Sequence, residues 1–259
     1  MATAISFNST SLQTDNIHTR SIDHESLDSR EVQFQRLGAR DGAKLVDDTF
    51  APRVIRLSGM IIGSSQSDLE DRIDDLKMAV MGREKNLDVG YVSGTRRYKA
   101  TCTKYSFSRD YYNITFAGWE AEFTVSDPPF GTPLDTTTIE YSAVTQAIGT
   151  WETNGTFAGT YRPFPIIKMT VNTETSLTQI AFTNSETSQQ IKVAPTGGYT
   201  AGDVLLINTT DYTVTVNGTA VDYEGVIPDF IQGGNDFVVS FIGTSWNVTM
   251  KLIYYELYL

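Results

Sequence analysis

The chain has 259 residues, 40% of them hydrophobic, with one cysteine and a formal net charge of -11. That length and apolar content suffice for one large core or two ordinary ones, Cys102 by itself excludes an intrachain disulfide, and the acidic balance argues against a protein that grips nucleic-acid phosphates. No run of about twenty apolar residues is present for a membrane helix, and the start MATAISFNST lacks the basic and apolar regions of a signal peptide, so a reducing compartment during folding is expected.

Residues 1–30 are polar with few apolar anchors, and read as an extended arm carrying one short strand near Ile5 and Phe7. Residues 32–37, VQFQRL, alternate as a strand, and Arg40-Asp41-Gly42 carries the Asp-Gly signal of a tight reversal into residues 43–47. The run Arg53-Val-Ile-Arg-Leu-Ser-Gly-Met-Ile-Ile62 places Ile55, Leu57 and Ile61 on one face of a strand and leaves through Gly63-Ser64-Ser65. The one convincing helix follows over 68–81, where Leu69, Ile73, Leu76 and Val80 recur at spacings of four, three and four as a single apolar stripe. Ser67 with Glu70 reads as a capping box, and Gly82 as a left-handed C-terminal cap. Glu70, Asp71, Asp74 and Asp75 fall opposite the stripe with Met78 among them, while Arg72 and Lys77 flank its edge.

Residues 87–91, a Ser93-Gly94 turn and a long strand over 96–107 come next, with Tyr98, Ala100 and Cys102 sharing a face, so that Cys102 reads as a small core residue. Residues 113–125 close this half with Trp119, Ala121, Phe123 and Val125 on one side. Ile114 and Phe116 lie on the other parity, a slip that a bulge at Gly118 would explain. The proline-rich run DPPFGTP at 127–133 is expected to join neither helix nor sheet and to act as a stiff spacer. The chain therefore divides, on sequence, into a first domain over 1–126, a linker over 127–138 and a second domain over 139–259. Past the linker every signal is β: short alternating runs at 166–171, 179–182, 190–193, 204–207, 212–216, 237–242 and 246–258 predict a sandwich or jelly roll. Asn154-Gly155 and Asn217-Gly218 both have the chemistry of type I′ hairpin turns. The Asn-x-Ser/Thr sequons at Asn8, Asn113, Asn154, Asn208, Asn217 and Asn247 reflect this strand-and-turn composition and are read as unglycosylated.

Several stretches, in order, then resemble one family. In the first half these are Arg53-Val-Ile-Arg-Leu-Ser-Gly, Leu69-Glu-Asp-Arg-Ile-Asp-Asp-Leu-Lys77, Arg97-Tyr98-Lys99-Ala100, Ser108-Arg109-Asp110-Tyr111-Tyr112, and Phe123 before Asp127-Pro128. In the second half they are Val214-Thr-Val-Asn217-Gly218, Asp222-Tyr-Glu-Gly225, Ile227-Pro228 and Gly233-Gly234-Asn235. The pattern resembles the distal tail proteins of long-tailed (siphovirus) bacteriophages. The resemblance implies a mainly β fold: an N-terminal split β-barrel with one α-helix, through which six copies close into a ring, and a C-terminal galectin-like β-sandwich that projects outward. It implies a non-enzymatic structural virion protein at the distal end of the tail, assembled in the bacterial host cytoplasm. Its place would be the baseplate or tail tip, joining the tail tube protein to the tail-tip hub and to receptor-binding proteins around the DNA channel.

On that reading the ring contacts are expected from Arg53, Val54, Arg56, Ser58, Met60, Met78, Thr101, Thr103 and Tyr105, on the ground that strand edges there would be satisfied by neighbouring copies. Glu70, Asp71, Asp74 and Asp75 are the candidate channel-facing acids, since a passage for DNA should repel phosphates. Among the residues themselves, His18 and His24 lie in the polar arm with no Cys or second His at ligand spacing, and read as solvated loop histidines; no metal or cofactor is expected. Asp23, His24 and Ser26 lack the glycine pattern of a nucleophile elbow, and the helix carboxylates lack the apolar pocket that glycoside hydrolysis needs. A carbohydrate-binding or adhesin role through the second half is the alternative: Trp151, Tyr161, Tyr199, Tyr212, Tyr223 and Trp246 are available for stacking on sugars, with Trp151 placed for loop exposure and Trp246 for the core. Neither membrane insertion nor specific nucleic-acid binding is expected.

Overall fold

The computed structural model describes residues 4–23, 30–36, 43–109, 112–125, 129–146 and 149–258. Of the sequence-based expectations, the Arg40-Asp41-Gly42 reversal, His24, Ser26, Asp110, Tyr111, Asp127 and Pro128 lie outside the described residues. The chain is mainly β and falls into two compact units, Met1–Leu134 and Asp135–Tyr258.

In the first unit the strands are β1 (Ile5–Phe7), β2 (Thr10–Ser11), β3 (Ile17–Asp23), β4 (Arg30–Arg36), β5 (Ala43–Phe50), β6 (Arg53–Ile62), β7 (Lys85–Tyr91), β8 (Gly94–Arg109), β9 (Phe116–Val125) and β10 (Thr132–Pro133), with helix α1 (Gln66–Val80) between β6 and β7. All but β4 and β5 join one antiparallel sheet in the order β2-β1-β7-β8-β9-β6-β3, with β10 on β8. The two end strands of that path, β2 and β3, are consecutive in the chain. Residues 12–16 bridge the gap without a ladder: Thr19 Oγ1 donates to Leu12 O at 2.8 Å and Thr19 N to Gln13 Oε1 at 2.8 Å. The result is a split barrel around Ile5, Phe7, Leu12, Ile55, Leu57, Ile61, Trp119 and Phe123, closed on one side by Leu69, Ile73, Leu76 and Val80 of the helix. The apolar stripe of α1 is thus buried as its period predicts.

Several local expectations differ from the observed structure. The helix cap is Ser65, whose side chain accepts from Asp68 N at 3.2 Å, while the Asp68 carboxylate reaches back to Ser64 N at 2.6 Å; Ser67 is already helical. At the other end Met81 turns extended, with its N–H on Lys77 O, and Gly82 needs no positive φ. Over residues 4–23 the expected extended arm is instead part of the sheet, through β1, β2 and β3. The pairing of β9 with both neighbours runs unbroken across Gly118, because the strand begins only at Phe116; the bulge sits opposite, at Thr103 of β8, between Cys102 and Lys104. Past that bulge Cys102 is half-buried, its thiol donating to Lys104 O at 3.4 Å. Within the expected spacer, Thr132 and Pro133 pair with Arg97 and Arg96, since a proline is tolerated where a strand is this short.

The second unit has β11 (Thr137–Gln146), β12 (Gly149–Phe157), β13 (Ile166–Thr175), β14 (Gln179–Asn184), β15 (Gln189–Val193), β16 (Val204–Asn208), β17 (Thr213–Val216), β18 (Thr219–Ala220), β19 (Tyr223–Gly225), β20 (Gly233–Ile242) and β21 (Ser245–Tyr254). They form two antiparallel sheets, β11-β21-β13-β16-β17-β18 and β12-β20-β14-β15-β19. One apolar cluster fills the space between them, with Phe157, Met169, Phe182, Phe237, Trp246 and Leu252 among its members, which makes the unit a β-sandwich. Asn217 and Gly218 take φ 51° and 78° in the two-residue turn between β17 and β18, as their chemistry predicts. Asn154-Gly155 is no turn: it lies within β12, paired in register with Asp236 and Asn235. A Cβ at Gly155 would stand 2.7 Å from the Tyr141 hydroxyl and 3.1 Å from the Phe237 ring, so glycine leaves both side chains where they are.

Two fully buried amides latch the segment before β20. Asn184 Nδ2 donates to Asn235 Oδ1 at 3.0 Å and to Asp229 O at 2.7 Å, and Asn235 Oδ1 accepts from Ile231 N at 3.1 Å.

Close backbone approach governs one further position. A Cβ on Gly59 in β6 would lie 2.1 Å from the His18 carbonyl and 2.7 Å from Trp119 Nε1. Gly59→Ala is expected to destabilise the first unit by about 3 kcal/mol, read as an earlier urea midpoint for Trp119 fluorescence; a midpoint unchanged from wild type refutes the packing.

Candidate functional site

The first unit holds a run of four strands, β3-β6-β9-β8, whose two faces differ completely. Strand alternation sends Ile55, Leu57 and Ile61 of β6 and Ala117, Trp119, Ala121 and Phe123 of β9 into the core. The opposite face carries Arg56, Ser58 and Met60 of β6, Gly118, Glu120 and Glu122 of β9, Lys104, Ser106 and Ser108 of β8, and His18, Ser21 and Asp23 of β3. Small side chains leave this face troughed. One hollow of about 340 Å³ lies over Ser58, Gly59, Ser106, Ser108 and Gly118, rimmed by Arg20 and Glu120. A second, of about 280 Å³, is lined by Ser21, Asp23, Arg56 and Glu122, and the two share Ser58 and Glu120.

Charges cross this face in a row. Asp23 stands opposite Arg56, Arg56 opposite Glu122, and Glu122 opposite Lys104. Arg56 Nε lies 3.3 Å from Glu122 and its Nη1 3.9 Å from Asp23, and Lys104 Nζ is 3.6 Å from the same Glu122 oxygen. The signs alternate from strand to strand. Arg20, the bulged residue of β3, donates from Nη2 to Met60 Sδ at 2.8 Å.

Both ends of the run are open. β7 pairs with β8 only as far as Ala100, so among the described residues no strand covers Thr101 to Arg109 on the side away from β9. On the far side of β3, residues 12–14 hydrogen-bond to Ile17 and Thr19, and among the described residues no strand pairs there. The open stretches lie level with each other, because Ser21, Ser58, Glu120 and Ser106 are in line, as are Asp23, Arg56, Glu122 and Lys104.

The expected ring contacts fall unevenly on this map. Arg53 is 3% exposed, its guanidinium 5.5 Å from the Tyr98 ring centroid, because it shares the inward parity of Ile55 and Leu57; it is a core residue and is removed from the surface set. Val54, Arg56, Ser58 and Met60 lie on the outward face of β6, but β6 is an interior strand with β3 and β9 on its two sides, so its edges are not available. Thr101, Thr103 and Tyr105 do lie along the open part of β8; Thr101 Oγ1 accepts from Glu84 N, and Tyr105 packs edge-on to Phe107 at 4.3 Å. Met78 is exposed on α1. The sequence reasoning missed β3, Lys104, Glu120 and Glu122. The alternation Trp119-Glu-Ala-Glu-Phe123 already separated the two acids from the core side chains.

The helix acids stand on the other side of the sheet from the troughs. Glu70, Asp71, Asp74 and Asp75 are all on the solvent side of α1. Glu70 is held below the usual carboxylate range, chiefly by the hydrogen bond from Arg109 at 3.1 Å, and Asp74 pairs with Lys77 at 2.7 Å. No group of three or more His, Cys, Asp or Glu among the described residues is arranged to hold a metal ion. Burial pushes the Cys102 thiol up, away from the thiolate a nucleophile requires. His18 is not in a loop but half-buried in β3, opposite Met60. In the second unit Trp151 lies within β12 and packs on the core, edge-on to Tyr141 at 5.6 Å, so the expected loop exposure is corrected. Trp246 is buried and stacks on Phe241 at 3.6 Å.

No protein-family model matches the sequence, and no curated protein matches it. Among solved structures the chain is similar to the Dit protein of phage SPP1, described as a paradigm of the hub adsorption apparatus of phages that infect Gram-positive bacteria, with a TM-score of 0.70, 14% identity and 99% of each chain covered. It therefore has the fold of that protein. Weaker likenesses, each with a TM-score of 0.41, 10% identity and 96% of both chains covered, are to the baseplate of phage P2 in its activated conformation with Ca and with Sr.

Asp68 gives this unit a pH signature. The hydrogen bond from Arg72, at 3.0 Å, and those from Ser64 hold its carboxyl down at about 2. A depressed folded-state value means that the contribution is complete above the unfolded value near 4 and lost as pH falls through about 2. Asp68→Asn is expected to lower the melting temperature of the first unit at pH 7, with the difference from wild type shrinking as pH falls toward 2; an equal difference at both pH values contradicts this role.

Proposed function

We propose that this chain is a structural protein of a phage tail tip, in which copies join head to tail into a ring around the DNA channel and link the tail tube protein to the tail-tip hub and the receptor-binding apparatus. The observation that carries the reading is the fold held in common with SPP1 Dit across nearly the full length of both chains. The open ends of the four-strand run support it physically. Its strands alternate in direction, so β8 of one copy laid beside β3 of the next continues the antiparallel order without reversal. A head-to-tail contact of this kind closes into a ring and leaves no exposed edge to recruit strays.

Within such a ring the troughed face of the sheet suits the channel side. The helix lies on the opposite face, so its acids and the troughs cannot both look inward, and the troughed face carries short side chains and locally balanced charges that do not hold a passing polyanion. Glu70, Asp71, Asp74 and Asp75 then face outward, where neighbouring tail proteins would meet them. The β-sandwich unit, with Trp151 packed on its core, fits attachment of tip proteins better than sugar stacking. Six copies match the family resemblance, and the completed particle is the virion, with assembly in the host cytoplasm.

Light scattering on the purified protein, alone and with the tail tube protein of the same phage, tests this. The expected species is near six times the 28.7 kDa chain mass, seen by negative stain as a ring with a central hole. A single copy under every condition, tube protein included, overturns the proposal.

A further inference from the structure

We infer that neighbouring copies join through a registered seam in which Lys104 of one copy stands opposite Asp23 of the next. This rests on the ring reading above and specifies the surface and the partner: a second copy of the same chain. The charge row points to this pairing. Across the four strands it runs Asp23, Arg56, Glu122, Lys104, negative to positive in strict alternation, each residue directly opposite the next. The first and last members have opposite signs and sit on the two strands that end the run, where the open stretches of β3 and β8 are level. Their side chains are 46% and 66% exposed, so both are accessible to another molecule. Placing β8 beside the β3 of a second copy at that level puts a lysine next to an aspartate and carries the alternation across the seam and around the whole ring. A slip by one residue turns one of the two side chains to the core face, and a slip by two sets Lys104 against Ser21 or Asp23 against Ser106. The row thus selects one register, which is the main use of charges at an interface.

Two variants test the seam, Lys104→Glu and Asp23→Lys. Each sets like charges against each other at every contact between identical copies, and each is expected to weaken ring formation by about a hundredfold or more, seen by light scattering as the protomer mass. Mixed one to one, they are expected to form rings again, because strict alternation of the two variants makes every seam complementary. At one seam the glutamate introduced at position 104 meets the lysine introduced at position 23, and at the next the unaltered Lys104 meets the unaltered Asp23. Restoration by mixing also rules out misfolding as the cause of the single defects. If either variant alone assembles as wild type does, or if the mixture remains protomeric while wild type forms rings, the seam is wrong and the ring reading stands. If wild type itself forms no ring with tube protein present, both fail. Should a charge reversal fold poorly, the neutral pair Lys104→Gln and Asp23→Asn gives a second readout. Wild-type assembly is expected to weaken as salt rises from about 0.05 to about 0.5 M, within the range where screening acts over about 4–14 Å, and that dependence is expected to shrink in both neutral variants. An undiminished salt dependence overturns the pairing.

Discussion

The first unit depends on one constraint: four antiparallel strands of fixed register whose side chains alternate between two environments. Because the period is two, Ile55, Leu57, Trp119, Ala121 and Phe123 must all point one way once any of them does, and Arg56, Ser58, Glu120 and Glu122 must point the other. The apolar face draws in the helix stripe, and burial of side chains such as Leu69 and Ile73 contributes about 1.5–3 kcal/mol each. Among the described residues nothing covers the polar face. Among the described residues one face of the sheet is filled, and no strand pairs along the outer edge of β3 or along β8 beyond Ala100.

The surface charges add little to the stability of the isolated chain. Pairs as exposed as Arg56 with Asp23 are worth about 0–1 kcal/mol each, so their alignment across the strands contributes little to holding the fold. Packing does the holding. Gly59 lets the His18 carbonyl and the Trp119 ring close on β6, and Ser64, Ser65 and Asp68 together fix where the helix begins.

Much of this was legible in the sequence wherever a period ran long enough. The helix stripe of Leu69, Ile73, Leu76 and Val80 and the alternations of β6 and β9 named their buried residues correctly, and the sandwich strands from Ile166 onward were found near their observed bounds. The misses have physical causes. β3 reads IHTRSID, with apolar residues only at Ile17 and Ile22, because an end strand packs lightly and a bulge at Arg20 breaks its period. Arg53 looks solvent-bound by type yet holds an inward position beside Tyr98, and only the parity of its strand could have shown this. Asn154-Gly155 and Asn217-Gly218 are chemically alike; the difference is that Tyr141 crowds the first glycine while positive φ angles demand the second. Three serines near the helix start offer themselves as caps, and the choice fell to the one whose third following residue is Asp68. At the candidate site, the acids of β9 were readable as a face, but their alignment with Arg56 and Lys104 required the register, which no local pattern encodes.

The buried Asn184 and Asn235 pair has an effect beyond fastening the segment ahead of β20. Strands β14 and β20 are rich in Ile, Phe and Val, side chains that pack without directional bonds and so discriminate weakly between offsets that keep the same face inward. Only one offset gives both amides their partners; any other strands them in an apolar interior, at about 1–3 kcal/mol for each group left unpaired. The two asparagines therefore favour the observed offset of β14 on β20 over its neighbours, through the cost of leaving a buried amide unpaired.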